Sequence, residues 1–364
     1  MSNTASRYAV WMILLAAAGT FALTMGTRQT MGLFLSDVNS ATGLGIANIS
    51  LAFAFGQLWW GLTQPFAGAF ADRVGAGRVL LIGVSLVALG TILTPLMTST
   101  AGLVFAIGVL AAGGAGMAGP SVLMAATTRM LPAERRGMAT GIVNAGGSFG
   151  QFIMAPVAAG LTAALGWMTS MQVLGLIVLL ALPAAWVLRG NSSAAATSAP
   201  AGVAGGPAPA REGTRAAITR ALADPSYRLL ACGFFVCGFH VAFLATHLPN
   251  VVAMCGLPPS VSAWSLGLLG LFNIVGSLTM GWAVGRWRMK SLLSLVYAAR
   301  AVAVLVFLLS PKTATTMLIF AAVMGLTYLS TVPPTAGLVA KFFGPANMAT
   351  LFGIVMLSHQ IGGF

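Results

Sequence analysis

Gly68-Ala-Phe-Ala-Asp-Arg-Val-Gly-Ala-Gly-Arg78 sets Asp72, Arg73 and Arg78 between two long apolar runs. A connection this short and this charged reads as a tight turn at the inner face of a membrane, where cations collect. Gly68, Gly75 and Gly77 are expected to supply either positive φ or a close backbone approach. Asp72 is expected to pair with a nearby arginine, Arg135 or Arg136, and to accept from a helix N-terminus. The plainer alternative is an ordinary charged loop that sets topology and does nothing more.

The rest of the chain agrees with a membrane setting. Of the 364 residues, 58% are hydrophobic and only 6% charged, whereas a soluble domain carries roughly 25% charge. The formal charge of +13 comes from 18 Lys and Arg against 5 Asp and Glu. The cations occupy short gaps between apolar runs, so they orient helices and do not form a nucleic-acid footprint. Cys232, Cys237 and Cys255 fall on one helix or its end, with no metal-ligand spacing beside a histidine or carboxylate. They read as apolar packing residues, and no metal or cofactor is expected. The run after Arg7 is too long for a signal-peptide core and has no clear cleavage site, so it is expected to stay as the first helix.

A spanning helix needs about 20 mostly apolar residues. Runs of that kind cover roughly 8–33, 48–70, 79–97, 101–128, 138–163 and 167–188. After an Asn-, Ser-, Ala-, Gly- and Pro-rich stretch they resume at roughly 229–252, 260–284, 291–310 and 314–340, with another beginning near Met348. The chain therefore divides into an N-terminal six-helix bundle over 1–189, a flexible basic linker over 190–227 and a second bundle over 228–364. With the N-terminus inside, Lys312 alone falls outside and Arg28 and Arg300 fall within helices, leaving every other Lys and Arg inside.

The two bundles repeat one another. Gly68-Ala-Phe-Ala-Asp-Arg73 aligns with Gly281-Trp-Ala-Val-Gly-Arg286, and Met138-Ala-Thr-Gly-Ile-Val143 with Met348-Ala-Thr-Leu-Phe-Gly-Ile-Val355 after a two-residue insertion. In this register Phe364 corresponds to Phe152, so the eleventh helix is expected to stop about halfway, with a twelfth absent.

The pattern G-x-x-x-D-R-x-G-x-x-R between the second and third helices, together with the parallel repeat, resembles the major facilitator superfamily. That resemblance implies an all-α polytopic fold of two parallel six-helix repeats, here cut short within helix eleven. It also implies a secondary transporter working by alternating access on a small solute held between the halves. A multi-pass monomer in a bacterial inner membrane is the matching expectation, with a small-molecule substrate, a lipid bilayer around it and proton coupling as partners. Drug antiporters of the superfamily carry an arginine where this chain has Leu110, and Gly150-Gln-Phe-Ile-Met-Ala-Pro-Val-Ala-Ala-Gly160 only half fits their fifth-helix pattern. Gly26–Phe34, Trp59–Phe66 and Cys237–Phe243 look more like the oxalate/formate and monocarboxylate branch. That branch commonly sets an arginine on helix eight against the carboxylate, but the matching position here is Ser277. An anionic cargo would then have to meet Arg28 or Arg300. Drug or metabolite efflux, or a truncated membrane protein that transports nothing, are the alternatives.

Ionisable groups within hydrocarbon are costly and so are candidates for function. Arg28 either binds an anion or snorkels toward Asp37. Arg300, central on the ninth helix, either meets substrate or serves a structural role. His240 on the seventh helix titrates in the working range and is a candidate for substrate or proton contact, though a lone histidine is often only a satisfied polar group. His247 shares its face. Gln57, Gln64, Asn144, Gln151 and Asn273 are ligands or interhelical glue, and Tyr328 is a candidate cavity hydrogen-bonder. Asp37, Asp72, Glu134, Glu212 and Asp224 are all expected in loops. No paired acid, metal cluster or nucleophile with a base can be assembled, so an enzyme is not expected.

Overall fold

The computed structural model describes residues 2–189 and 213–364. Among the described residues, eleven helical segments make up the body. The first is Ser2–Thr30, extended by the short helices Met31–Phe34 and Leu35–Thr42, and the second is Ile46–Val74. Next come Ala76–Leu93, then a broken helix over Thr100–Met130, Ala133–Leu165 and Trp167–Val187. The second half contributes Pro225–Met254, Pro259–Val284, Met289–Leu309, a broken tenth helix over Ala314–Phe343, and Met348–Gly363 as the eleventh. Among the described residues, nine helical runs are long and apolar enough to cross a membrane. The second helix carries Asp72 and Arg73 in its last turn, and the eleventh is a shorter apolar helix of 16 residues.

The turn between the second and third helices is shorter than its charge suggests. Helix continues through Val74 and resumes at Ala76, with Gly75 alone between them at φ +94°. One residue in a region open mainly to glycine reverses the chain. Asp72 is therefore helical and not in a loop, as are Asp37 in Leu35–Thr42 and Glu134 in Ala133–Leu165.

The linker expected over 190–227 also needs correction. Thr214–Ala223 is a helix, because Ala217 and Ala221, four residues apart, form a small-residue face that is buried. Arg220 of this helix lies over the Phe343 ring at 5.3 Å. Residues 190–212 of the expected linker lie outside the described residues.

The two halves meet along two seams, second helix on eleventh and fifth on eighth. The internal repeat relates one seam to the other, aligning the second helix with the eighth and the fifth with the eleventh. A Cβ built on Gly141 would stand 2.8 Å from the Cα of Gly281 and one on Gly281 2.7 Å from the Cα of Gly141, while a Cβ on Gly68 would run into the carbonyl of Ala349. Both seams are closed at the same end of the bundle, where exposed Arg73, Arg78, Arg135, Arg286, Arg288 and Lys341 gather. Replacing Gly281 with Leu is expected to force the fifth and eighth helices apart there, since overpacking a filled contact costs about 1–3 kcal/mol. The distance between spin labels at positions 135 and 286 should lengthen. An unchanged distance with normal folding would remove this contact from the closure.

The fourth and tenth helices are interrupted at matching places. The fourth breaks at Ala118–Gly119 before Pro120. The tenth breaks between Thr327 and Val332, with Pro333 and Pro334 beginning its second piece. Freed backbone groups at such depth must find partners inside the protein.

Candidate functional site

At the arginine-rich end, Asp72 is the centre of a latch between the halves. Its carboxylate pairs with Arg129, from the last turn of the fourth helix. It also accepts from the backbone N–H of Thr350 at 2.9 Å and the Thr350 hydroxyl at 2.7 Å. Thr350 lies in the first turn of the eleventh helix, so the expected helix N-terminus is present. The expected arginine is not. Arg136 turns its Nε to the carbonyl of Leu131 at 3.1 Å, and Arg135 is exposed. Arg129 reaches Asp72 because the fourth helix ends against the start of the eleventh, where the same guanidinium donates to the carbonyls of Pro345 and Ala346 at 2.9 Å each. The Asp72 side chain is 3% exposed and that of Arg129 23%, so one face of the pair is dry. The repeat puts Gly285 where the first half has Asp72, and the second seam closes by glycine contact with no such acid.

Toward the other end, Arg28 leans from the first helix onto the second. Nη2 donates to Oε1 of Gln57, and the guanidinium lies 4.6 Å from the Trp60 ring centroid. Asp37 is not its partner, and among the described residues no acid pairs with it. Gln57 in turn donates to Oε1 of Gln360 on the eleventh helix, and Gln360 meets Nδ1 of His359 at 3.1 Å. A line of polar groups thus leads from a cation in one half to a histidine in the other. The His359 ring lies tilted against Phe234 of the seventh helix, centroids 4.9 Å apart, and is 6% exposed. Below it on the second helix, Gln64 is fully buried, and neither amide atom has a partner among the described residues.

On the opposite seam, the break in the tenth helix is held from several sides. Asn144 donates to Ser277 Oγ at 2.7 Å and to the carbonyl of Leu329 at 3.3 Å. Asn273 donates to Ser148 Oγ at 2.7 Å and accepts from the Leu329 N–H at 3.0 Å. Arg300 is 1% exposed, and its Nη2 donates to the carbonyls of Thr327 and Tyr328. Carbonyls left open at a helix end favour a cation, which gives this buried arginine a backbone partner where an acid would otherwise be needed. Cys237 lies 3.2 Å from the Thr331 hydroxyl, and the Tyr328 hydroxyl donates to the carbonyl of Val241 at 2.8 Å.

Of the residues picked from sequence, the fold joins Arg28 with Gln57, and Arg300 with the backbone of Tyr328 beside Asn144. It does not join His240 to Arg28. His240 is half-buried on the seventh helix next to Phe239, and its Nδ1 has no partner among the described residues. The residues facing Arg28 from the second half are Gln360 and, behind it, His359. Neither was singled out from sequence, yet the repeat held the signal. The register that aligns Gly141 with Gly353 sets Gln360 at the place of Ser148, and both reach across to the other half.

A two-seam bundle with parallel halves and an arginine-rich closed end defines a membrane transporter fold. The chain belongs to the Major Facilitator Superfamily, which it matches over residues 8–364. It is similar to monocarboxylate transporter 13 of Rattus norvegicus, 24% identical over 362 residues, covering 97% of this chain and 79% of that protein. The oxalate:formate antiporter of Oxalobacter formigenes is 23% identical over 312 residues, or 82% of this chain and 68% of that one. The MFS-type transporter YcxA of Bacillus subtilis is 23% identical over 97% of this chain and 85% of its own. In fold it is like the proton:xylose symporter XylE, with a TM-score of 0.72 at 14% identity over 98% of this chain and 87% of that one. FucP in the outward conformation gives 0.70 at 16% identity, over 98% and 90%.

Proposed function

We propose that the protein moves a small organic anion, a monocarboxylate in the simplest case, across the bacterial inner membrane by alternating access. The observation that carries this reading is Arg28, a cation within the helices whose partners are an amide oxygen and an indole face. A carboxylate arriving there would supply the missing negative charge and accept from the guanidinium fork. The names of the relatives fit that chemistry. The arginine-rich end is the cytoplasmic end in this reading, by the excess of Lys and Arg there. With that end latched, the cargo approaches from outside.

Proton coupling is the companion proposal. A protonated histidine on the seventh helix favours an anion between the halves through its charge without having to touch Arg28, so binding would tighten on the acidic side and release would follow deprotonation, moving proton and anion together. His240→Gln is expected to flatten the pH dependence of uptake while retaining binding. An unaltered profile in that variant would take the role from His240. The direct test of the function is uptake of a labelled monocarboxylate panel into proteoliposomes, with and without an outside-acid pH gradient. Saturable accumulation of an anion, enhanced by the gradient, is expected. Accumulation of neutral or cationic solutes alone would overturn the reading.

A further inference from the structure

We propose that the arginine-rich end carries a second anion site, outside the transport path, that takes a phosphate group of the kind found on an anionic lipid. A cavity of about 550 Å³ opens there beside the turn at Gly75, lined by Arg73, Arg78 and Arg189 with Leu81 and Trp186, and no acidic side chain lines it. The three guanidinium groups are brought together by close packing. A Cβ on Gly77 would stand 2.7 Å from the carbonyl of Ala185 and 2.7 Å from the Cβ of Arg189, so the third helix starts hard against the end of the sixth. Arg189 lies over the Trp186 ring at 4.7 Å, which holds its charge at the mouth of the cavity.

Asp72, the nearest acid in sequence, has its oxygens engaged by Arg129 and Thr350, so among the described residues no acid pairs with these cations. The third helix begins at Ala76 with no acid in its first turn and no side-chain cap, which adds open N–H groups on the same side. Like charges gathered in one cavity repel, and a bound anion turns that repulsion into attraction. The apolar part of the wall names the carrier of that anion. Trp186 is 65% exposed and Leu81 37% exposed. An exposed tryptophan beside arginines at the end of a spanning bundle matches the depth of lipid headgroups. A phosphate on a lipid would sit among the arginines while its chains run down past Leu81. A soluble phosphate ester would use the arginines alone.

Native mass spectrometry of the full chain in detergent tests this, with titration by phosphatidylglycerol, phosphatidylcholine and glycerol phosphate. One tightly retained phosphatidylglycerol is expected, with phosphatidylcholine washing out. Neutralising Arg73, Arg78 and Arg189 together to Gln should lower that affinity about fivefold per charge and roughly a hundredfold in all. Arg288→Gln with Lys290→Gln, at the same end but outside the cavity, should change it less than twofold. Should the triple Gln variant fail to fold, Arg→Lys at the same three positions keeps the charge and loses the fork, and a several-fold loss is expected. Glycerol phosphate binding as tightly as the lipid would assign the site to a soluble ester, with the phosphate chemistry intact. Equal retention of the two lipids, or equal losses in the cavity and control variants, would overturn the site.

Discussion

Arg28→Ala is expected to lower affinity for an anionic cargo by roughly 10- to 150-fold, which corresponds to losing about 1.5–3 kcal/mol from a hydrogen bond to a charged group. The loss should appear in the concentration dependence of uptake more than in expression, because among the described residues Arg28 has no acid that its removal would strand. Gln57 would lose its donor but could still hold Gln360. Arg28→Lys should fall between the two, since a point ammonium keeps the charge and gives up the bidentate fork. Equilibrium binding of a labelled monocarboxylate to the purified protein checks both variants against the unaltered chain. Full affinity in Arg28→Ala would leave the anion reading without its cation and turn attention to neutral cargo.

Asp72→Asn is the second large effect. The variant keeps an oxygen for Thr350 but loses the charge that holds Arg129, and Arg129 still donates to Pro345 and Ala346. A fully buried pair broken on one side costs about 3–5 kcal/mol. The partial exposure of Arg129 argues for less, about 2 kcal/mol, or roughly 30-fold in the equilibrium between latched and open. Spin labels at positions 135 and 341, one on each half, should move apart on average. Turnover should fall because the latched state is reached less often, while folding and expression persist. Unchanged distances with unchanged turnover would show that the latch contributes nothing to the cycle. Arg129→Gln should reproduce the phenotype, whereas Arg136→Gln should not, because Arg136 turns its Nε to the carbonyl of Leu131 and stays off Asp72.

The contrast between those two arginines shows where reading a linear chain stops. Apolar runs, the basic gaps between them and the two-fold repeat are properties of local composition, because the bilayer imposes a fixed span and a fixed charge bias on any sequence. That was enough for the apolar helices of an all-α fold and for glycines at Gly68, Gly75 and Gly77, each of which the fold uses for close approach or positive φ. A short helix within an apparently featureless linker escaped because Ala217 and Ala221 look like filler until they have something to pack against.

Partners across the seams were beyond the linear reading for a different reason. Each residue turns a helix by about 100°, so which side chains meet depends on the rotation of one helix against another, and hydropathy leaves that angle open. Arg129 and not Arg136 met Asp72 because the fourth helix ends against the eleventh. Gln360 faced Gln57 because the second and eleventh helices share a seam, and Arg300 found backbone carbonyls because the tenth helix breaks beside it. The chain alone determined that there would be apolar helices with few charges inside them. Only the packed structure decided which of those charges stand against an acid, which cap a broken helix and which are left to meet a ligand, because burial makes each pairing depend on geometry that sequence spacing does not carry.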